Sequence, residues 1–264
     1  MPLVNLDHVP DIRLIACDMD GTLLDDNSAI HDEFWPLIDQ LHARGVTFCP
    51  ASGRQYHSMF ERFKPIVEEV IFIAENGTYV VQNGIEINSD CLPKEAAHNL
   101  VRIARNLRLN ETDVGIVLCG KRSAYIEHTD PVFRAEVDKY YLRLNLVDDL
   151  LAIEDDFLKV AVFNYSSAER VTYPAFSSFV NMYKVVASGA HWVDVMALQA
   201  NKGSGIRRVQ QSLRIARNQT MVFGDYLNDM EMMDEAAYSF AMANCNGSHL
   251  KPAVLAFDAI SGSQ

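Results

Sequence analysis

The chain has 264 residues, 23 Lys+Arg against 35 Asp+Glu, and a formal net charge of −12. An acid excess of this size argues against duplex DNA or an anionic membrane as the main partner, but not against a small anionic substrate, because local donors and a metal outweigh the global field. With 49 % apolar residues the chain can bury a sizeable core, which excludes wholesale disorder, and its length suits one large or two modest domains. No apolar run approaches the roughly 18 residues of a membrane span, and MPLVNLDHVPD lacks the regions of a signal peptide. The five cysteines form no CxxC pair. Reduced thiols and a cytoplasmic location are expected.

Ile12–Cys17 is a short apolar run ending at acids and Gly, the pattern of a buried strand entering a loop. Residues 31–44 put Phe34, Leu37, Ile38 and Leu41 on one helical face, with Gly45 at the C-cap. A second strand over Val46–Pro50, a short helix over His57–Phe63 and a third strand over Val70–Ala74 complete a βαβ alternation, which signals a parallel α/β sheet. Asn83-Gly84 then sits between Tyr79-Val-Val and Ile85-Glu-Ile as a hairpin turn.

From about 93 to 188 the pattern becomes helix, two strands, helix, two strands, helix, strand, an α+β lobe. Its first helix carries Ala96, Leu100, Ile103, Ala104 and Leu107 on one face, and its second carries Phe133, Val137, Tyr140 and Leu144. Gly115–Cys119 and Ala124–Glu127 read as paired strands. The βα pattern resumes with a helix from Lys202 and a strand over Thr220–Phe223. Two further strands follow, Ser239–Met242 and Ala253–Phe257.

Four segments carry chemistry-bearing residues. Asp18-Met19-Asp20-Gly21-Thr22 follows the first strand, at the sheet edge where open α/β sheets bind ligands. Two acids spaced i, i+2 around a Gly turn can divide labour, one attacking and one moving a proton, and both can help to hold Mg²⁺. A bare acidic turn is the competing reading. Ser52-Gly53-Arg54 follows the second strand, where a hydroxyl and a backbone N–H can meet a phosphate; an ordinary turn is the alternative. Lys202 opens a helix and brings a point charge beside its N–H groups, against the plainer reading of a surface lysine. Gly224-Asp225-Tyr226-Leu227-Asn228-Asp229 can complete a cation site or merely cap the helix over Met230–Asp234. The set decides: four such segments, each at a strand end or helix start, make coincidence a poor explanation.

In that order these motifs resemble the four signatures of the haloacid dehalogenase superfamily. Ala74-Glu75-Asn76-Gly77, Ala241-Met242-Ala243-Asn244 and Lys251 are similar to its Cof-type phosphatases with a type IIB cap. The resemblance is sharp over 12–84 and 190–255 and only architectural between. It implies a Rossmann-like doubly wound parallel core over 1–84 and 190–264, with an α+β cap at 85–189 that sets specificity. It implies Asp18 as the nucleophile and a Mg²⁺ ligand, and Asp20 as the general acid/base whose backbone carbonyl also ligates. It further implies Asp225 and Asp229 in or behind the metal shell, and Met19, Ser52, Gly53, Lys202 and Asn228 around the phosphate. The implied activity is hydrolysis of a small phosphorylated metabolite, of the sugar phosphate, pyridoxal phosphate or flavin mononucleotide class, through a phosphoaspartyl intermediate.

Rival readings are a phosphomutase, a dehalogenase, a phosphoacceptor module and an idle ligand-binding relative. Asp20 weighs against the dehalogenase and the acceptor module, since halide needs no protonation and a proton donor serves turnover. Arg102, Arg105 and Arg108 read as a solvated helix face, Met230, Met232 and Met233 as core, and Asp148-Asp149 and Asp155-Asp156 as solvated loops. Hinges are expected near 84–92 and 186–192.

Overall fold

The structure, a computed structural model, describes residues 10–25, 27–109, 113–188 and 190–243. The expected strand over Ala253–Phe257, with Asn244, Cys245, Lys251 and Gly189, lies outside them.

The chain opens with β1 (Leu14–Asp18), α1 (Phe34–Ala43), β2 (Thr47–Ala51), α2 (Tyr56–Arg62) and β3 (Ile71–Ala74). β1 shows why the layers form. Leu14 and Ala16 point to one face of the sheet, Ile15 and Cys17 to the other, and all four are buried. A strand apolar on both sides needs cover on both sides. α1 and α2 supply it on one face through Phe34, Ile38, Met59 and Phe63. A hairpin of β4 (Tyr79–Gln82) and β5 (Ile85–Ser89) follows, with Asn83 and Gly84 both at positive φ.

The second unit runs through α3 (Lys94–Leu109), β6 (Val114–Gly120), β7 (Ala124–Ile126), α4 (Pro131–Val137), β8 (Leu144–Leu146), β9 (Phe157–Asn164), α5 (Tyr173–Phe176), β10 (Tyr183–Ala187) and β11 (Trp192–Ala197). The chain then returns through α6 (Lys202–Leu213), β12 (Thr220–Gly224), α7 (Met230–Asp234) and β13 (Tyr238–Ala241). Ile206, Val209 and Met232 of α6 and α7 cover the other face of β1. The core sheet has the order β13-β12-β1-β2-β3-β4-β5, parallel from β13 to β3 and antiparallel beyond. The insert sheet has the order β10-β11-β9-β6-β7-β8. The chain is therefore a Rossmann-like core carrying an inserted α+β unit.

Sheet membership moves both expected boundaries. β5 belongs to the core sheet, so the chain crosses to the insert between Ser89 and Leu92, whose N–H bonds the Phe157 carbonyl on β9. β11 belongs to the insert sheet, so the chain returns over 198–201. The expected hinge near 186–192 falls instead on the facing ends of β10 and β11, which pair with each other in the insert sheet. The reason is the alternation of β11: Val193 and Val195 complete the apolar layer under α3, which needs them paired to β9.

Two other expectations need correction. α4 stops at Val137, and Tyr140 and Leu144 are not on it, because 139–143 turns to dock its backbone on the core. Gln55 and Arg143 exchange two hydrogen bonds of 2.9 Å, Ser58 Oγ donates to the Tyr140 carbonyl at 2.7 Å, and the Leu142 N–H donates back to Ser58 Oγ at 3.0 Å. Asp155 is not solvated. Its buried carboxylate accepts from the Tyr125 hydroxyl at 2.9 Å and the Arg122 N–H at 3.1 Å. Met230 is exposed, while Met232 is core.

Candidate active site

Asp18 ends β1, Ser52 follows β2, Glu75-Asn76-Gly77 follows β3, and Asp225 follows β12. Parallel strands deliver these carboxyl-terminal ends to one edge of the sheet. There a cavity of about 250 Å³ is lined by Asp18, Asp20, Ser52, Gly53, Arg54, Asn76, Asp225, Tyr226 and Asn228 from the core, and by Tyr140, Tyr141, Lys159, Ser188, Trp192 and Asp194 from the insert.

Lys202 and Asp229 lie directly behind Asp18. The Lys202 ammonium pairs with Asp18 and donates to Asp229 Oδ1 at 2.7 Å. It occupies the first turn of α6, where Asn201 and Ser204 form a reciprocal capping box. A cation is unfavourable at a helix N-terminus, so this buried placement depends on the two carboxylates. Burial opposes the charge of Lys202, but Asp18 and Asp229 outweigh it and raise its pKa. For Asp18, burial is the largest influence and raises its pKa, with Asp229 and Asp225 pushing the same way and Lys202 opposing. The Asp225 pKa is raised by burial and by the neighbouring Asp229.

Two glycines allow close approaches here. A Cβ on Gly21, at φ +87°, would strike the Asp225 carboxylate, and one on Gly77, at φ +90°, would strike the Asn201 carbonyl beside Lys202. Asp225 is further held by the Thr22 hydroxyl at 3.2 Å, and Asp229 Oδ2 accepts the N–H groups of Asp225 at 3.0 Å and Tyr226 at 3.1 Å.

Carboxylate oxygens of Asp18, Asp225 and Asp229 lie within 4.8 Å of one another. An all-oxygen donor set fits Mg²⁺, a hard cation. Both oxygens of Asp229 already have donors, which leaves Asp18 and Asp225 with the freer ones. The Asp20 side chain is not among the three; it sits at the cavity rim against Arg54.

The other expected phosphate contacts are distributed as follows. Ser52 is buried with its hydroxyl accepting the Arg54 N–H at 3.1 Å, and Gly53 and Asn228 line the cavity. The Met19 side chain is in the core, so it is not a phosphate contact; only the backbone of Met19 could be one.

Sequence reasoning named Arg54 and Asn76 within their motifs without giving them a role, and missed Lys159 and Asp194. Arg54 grips Asp20 and reaches the Lys139 carbonyl at 2.7 Å. Lys159 stands in Phe-Leu-Lys-Val-Ala-Val-Phe-Asn and Asp194 in Trp-Val-Asp-Val-Met-Ala, strands that are otherwise largely apolar and wholly buried. A single charge inside such a run was the available signal, because buried charges persist only when paired or functional.

A buried carboxylate paired with a buried lysine, a cluster of three acids and a hydroxyl, at the strand ends of a Rossmann-like core under an inserted lobe, fit a phosphoryl-transfer hydrolase. The family model of haloacid dehalogenase-like hydrolases matches residues 15–255, and the chain belongs to that family. It is 34 % identical, over 90 % of its own length and 87 % of the relative's, to the 5-amino-6-(5-phospho-D-ribitylamino)uracil phosphatase YbjI of Escherichia coli. Among solved structures, SMU.1108c of Streptococcus mutans is similar with a TM-score of 0.79 at 24 % identity, covering 89 % of this chain and 88 % of that one. The subclass IIB sugar phosphatase BT4131 is similar with a TM-score of 0.74 at 19 % identity, covering 87 % of each chain. The chain is a phosphatase of the haloacid dehalogenase type. No helix among the described residues is long and apolar enough to cross a membrane.

Proposed function

We propose that the protein is a Mg²⁺-dependent phosphatase of a small phosphate monoester whose leaving group carries a planar ring, in the class of 5-amino-6-(5-phospho-D-ribitylamino)uracil. The observation that carries this is the cavity itself: Asp18, Asp20, Ser52 and Asp225 line one side, and Tyr140, Tyr141 and Trp192 stand across it. Rings at that position offer an apolar wall to a heterocycle, and the relative named above acts on such a substrate.

In this reading an Asp18 oxygen attacks phosphorus. The P–O bond to the leaving alcohol breaks, and Asp20 delivers a proton to the departing oxygen. Asp20 then takes a proton from water as its oxygen attacks phosphorus, which frees inorganic phosphate and restores Asp18. Lys202 holds Asp18 in place and offsets charge, while Ser52, the Gly53 N–H and Asn228 hold the phosphoryl oxygens. Asp18 and Asp225 would hold Mg²⁺ with Asp229 behind them, and the bound ion supplies neutralisation of phosphoryl charge. Such transfer asks chiefly for positioning and charge stabilisation. The insert covers the site, excludes water and contacts the leaving group.

The test is phosphate release from purified protein with Mg²⁺ across flavin mononucleotide, pyridoxal phosphate, 5-amino-6-(5-phospho-D-ribitylamino)uracil and simple sugar phosphates. The ring-bearing esters should give the highest kcat/KM, and Trp192→Ala should narrow their advantage. A preference for ring-free sugar phosphates that Trp192→Ala leaves intact overturns the substrate class.

A further inference from the structure

Lys159 on β9 and Asp194 on β11 belong to the insert, yet both are almost fully buried against the core. The register sets them on the face shared by Ala161, Phe163 and Trp192, while Val160, Val162, Val193 and Val195 face α3. The phosphatase chemistry above uses neither residue. Their partners show what they do.

The first chain of contacts starts at Asp194. A carboxylate without a proton only accepts. Asp194 Oδ2 receives Lys159 Nζ at 3.1 Å and Asn76 Nδ2 at 2.9 Å. This dictates which way the Asn76 amide points, nitrogen toward Asp194 and oxygen away. Asn76 Oδ1 is then an acceptor, and Asn228 Nδ2 donates to it at 3.1 Å. The amide of Asn228 is thereby oriented from the insert, two links away, with one N–H used and the other left for a ligand.

The second chain starts at Lys159. Its ammonium donates to the Gly53 carbonyl at 2.9 Å and lies 2.9 Å from Glu75 Oε2. The Gly53 carbonyl shares a peptide with the Arg54 N–H, which donates to Ser52 Oγ. A hydroxyl that accepts there keeps its own proton for an incoming acceptor. The loop between the two chains is held in an unfavourable conformation, since Glu75, Asn76 and Gly77 have φ of 51°, 57° and 90° in succession. Such backbone persists only where its surroundings impose it. The Glu75 and Asn76 N–H groups bond the carbonyls of Arg54 at 3.1 Å and Ser52 at 2.9 Å, tying this loop to the serine loop.

We propose that Lys159 and Asp194 are positioning residues of the insert: through two hydrogen-bond chains of fixed polarity they orient the Asn228 amide and the Ser52 hydroxyl toward the phosphate. The donor set is then complete only when the insert is docked on the core. This rests on the reading of Asn228 and Ser52 as phosphate contacts.

The experiment measures competitive inhibition by inorganic phosphate, with Mg²⁺ present and an aryl phosphate as substrate. Asp194→Asn is isosteric but can donate as well as accept, so Asn76 loses its imposed direction. Asn76→Gly accepts the positive φ, removes the link and leaves the Lys159–Asp194 pair intact. Each should weaken phosphate inhibition about tenfold, and the loss should shrink to near nothing in an Asn228→Ala background, the non-additivity of groups acting in one chain. Should Asp194→Asn fail to fold, Asn76→Gly carries the test alone. Wild-type inhibition in Asn76→Gly, or a loss undiminished on Asn228→Ala, overturns the positioning role while leaving the phosphate-site reading standing. Wild-type inhibition in Asn228→Ala alone overturns that reading, and this inference with it.

Discussion

Arg54 holds Asp20 by two hydrogen bonds, Nε to Oδ2 at 2.9 Å and Nη2 to Oδ1 at 2.5 Å. The guanidinium is in turn roofed by the insert, with its central carbon 5.2 Å from the centre of the Tyr140 ring and Nη1 on the Lys139 carbonyl. A planar fork fixes the direction of a carboxylate as no ammonium can. The residue expected to move protons is thus aimed by a side chain that the insert itself immobilises.

Arg54→Lys should therefore disturb proton transfer more than binding. Proton transfer by a positioned carboxyl is worth roughly 10²–10⁴ in rate, and misaiming it should forfeit about tenfold of kcat for alkyl phosphates. An aryl phosphate, whose leaving group needs less protonation, should lose less. Steady-state kinetics on one alkyl and one aryl ester check this, and equal losses would remove Arg54 from the proton-transfer step.

Asp18→Asn should abolish phosphate release, because an amide cannot take the place of the attacking carboxylate. Thermal stability should change little, because relief of the repulsion among the acids offsets the lost Asp18–Lys202 pair. The change removes one of three crowded acids and leaves Lys202 its bond to Asp229. Differential scanning fluorimetry without metal is the check, and a midpoint several degrees below wild type would mean that the Asp18–Lys202 pair is mainly a structural bond.

EDTA should stop turnover and Mg²⁺ restore it. Saturating metal should also raise the thermal midpoint. A ligand at 100 times its Kd stabilises by about 2.7 kcal/mol, which for a domain of this size is roughly 5–10 °C. In Asp225→Asn the Mg²⁺ concentration for half-maximal rate should rise at least about tenfold, about 1.4 kcal/mol of binding, and the thermal shift should shrink with it. Full activity after exhaustive chelation would remove the metal from the mechanism.

Three histidines should each contribute a loss of stability on mild acidification, against the raised carboxyls of Asp18 and Asp225, which act in the opposite sense. Burial lowers the pKa of His57, His98 and His128, helped by Arg143, by Lys94 and Arg102, and by Arg108 respectively. Below about 6.5 the unfolded chain takes up protons at these sites and the folded chain resists them. At these sites the unfolded state then binds more protons, so their contribution to the unfolding free energy decreases as pH drops through that value. His128→Asn keeps a donor for Asp130, which lies 3.2 Å from the His128 ring, but cannot be charged. Between pH 7 and 5.5 its thermal midpoint should shift in a more favourable sense than that of wild type. A slope as steep as the wild type's would show that His128 is not one of the groups responsible.

What was legible along the chain was whatever local pattern encodes. The unbroken apolar run Leu14, Ile15, Ala16, Cys17 announces a strand buried on both faces, and Asn83-Gly84 a hairpin. Acids, hydroxyl and lysine at strand ends and a helix start announce a site, because parallel strands carry such ends to one edge whatever lies between them. The tertiary structure alone decided the rest. That β11 belongs to the insert depends on its pairing with β9, some thirty residues upstream, and a run of six residues carries no mark of its partner. The shortness of α4 depends on Gln55 and Ser58 across the cleft, which supply the hydrogen bonds a further helical turn would have made. Lys159 and Asp194 stand in strands far apart in sequence as isolated charges, and their meaning arises from three-dimensional proximity to each other and to Gly53 and Asn76. Hydrophobic periodicity is a property of neighbours in sequence. Charge compensation in a buried site is a property of neighbours in space, and only the folded chain brings those together.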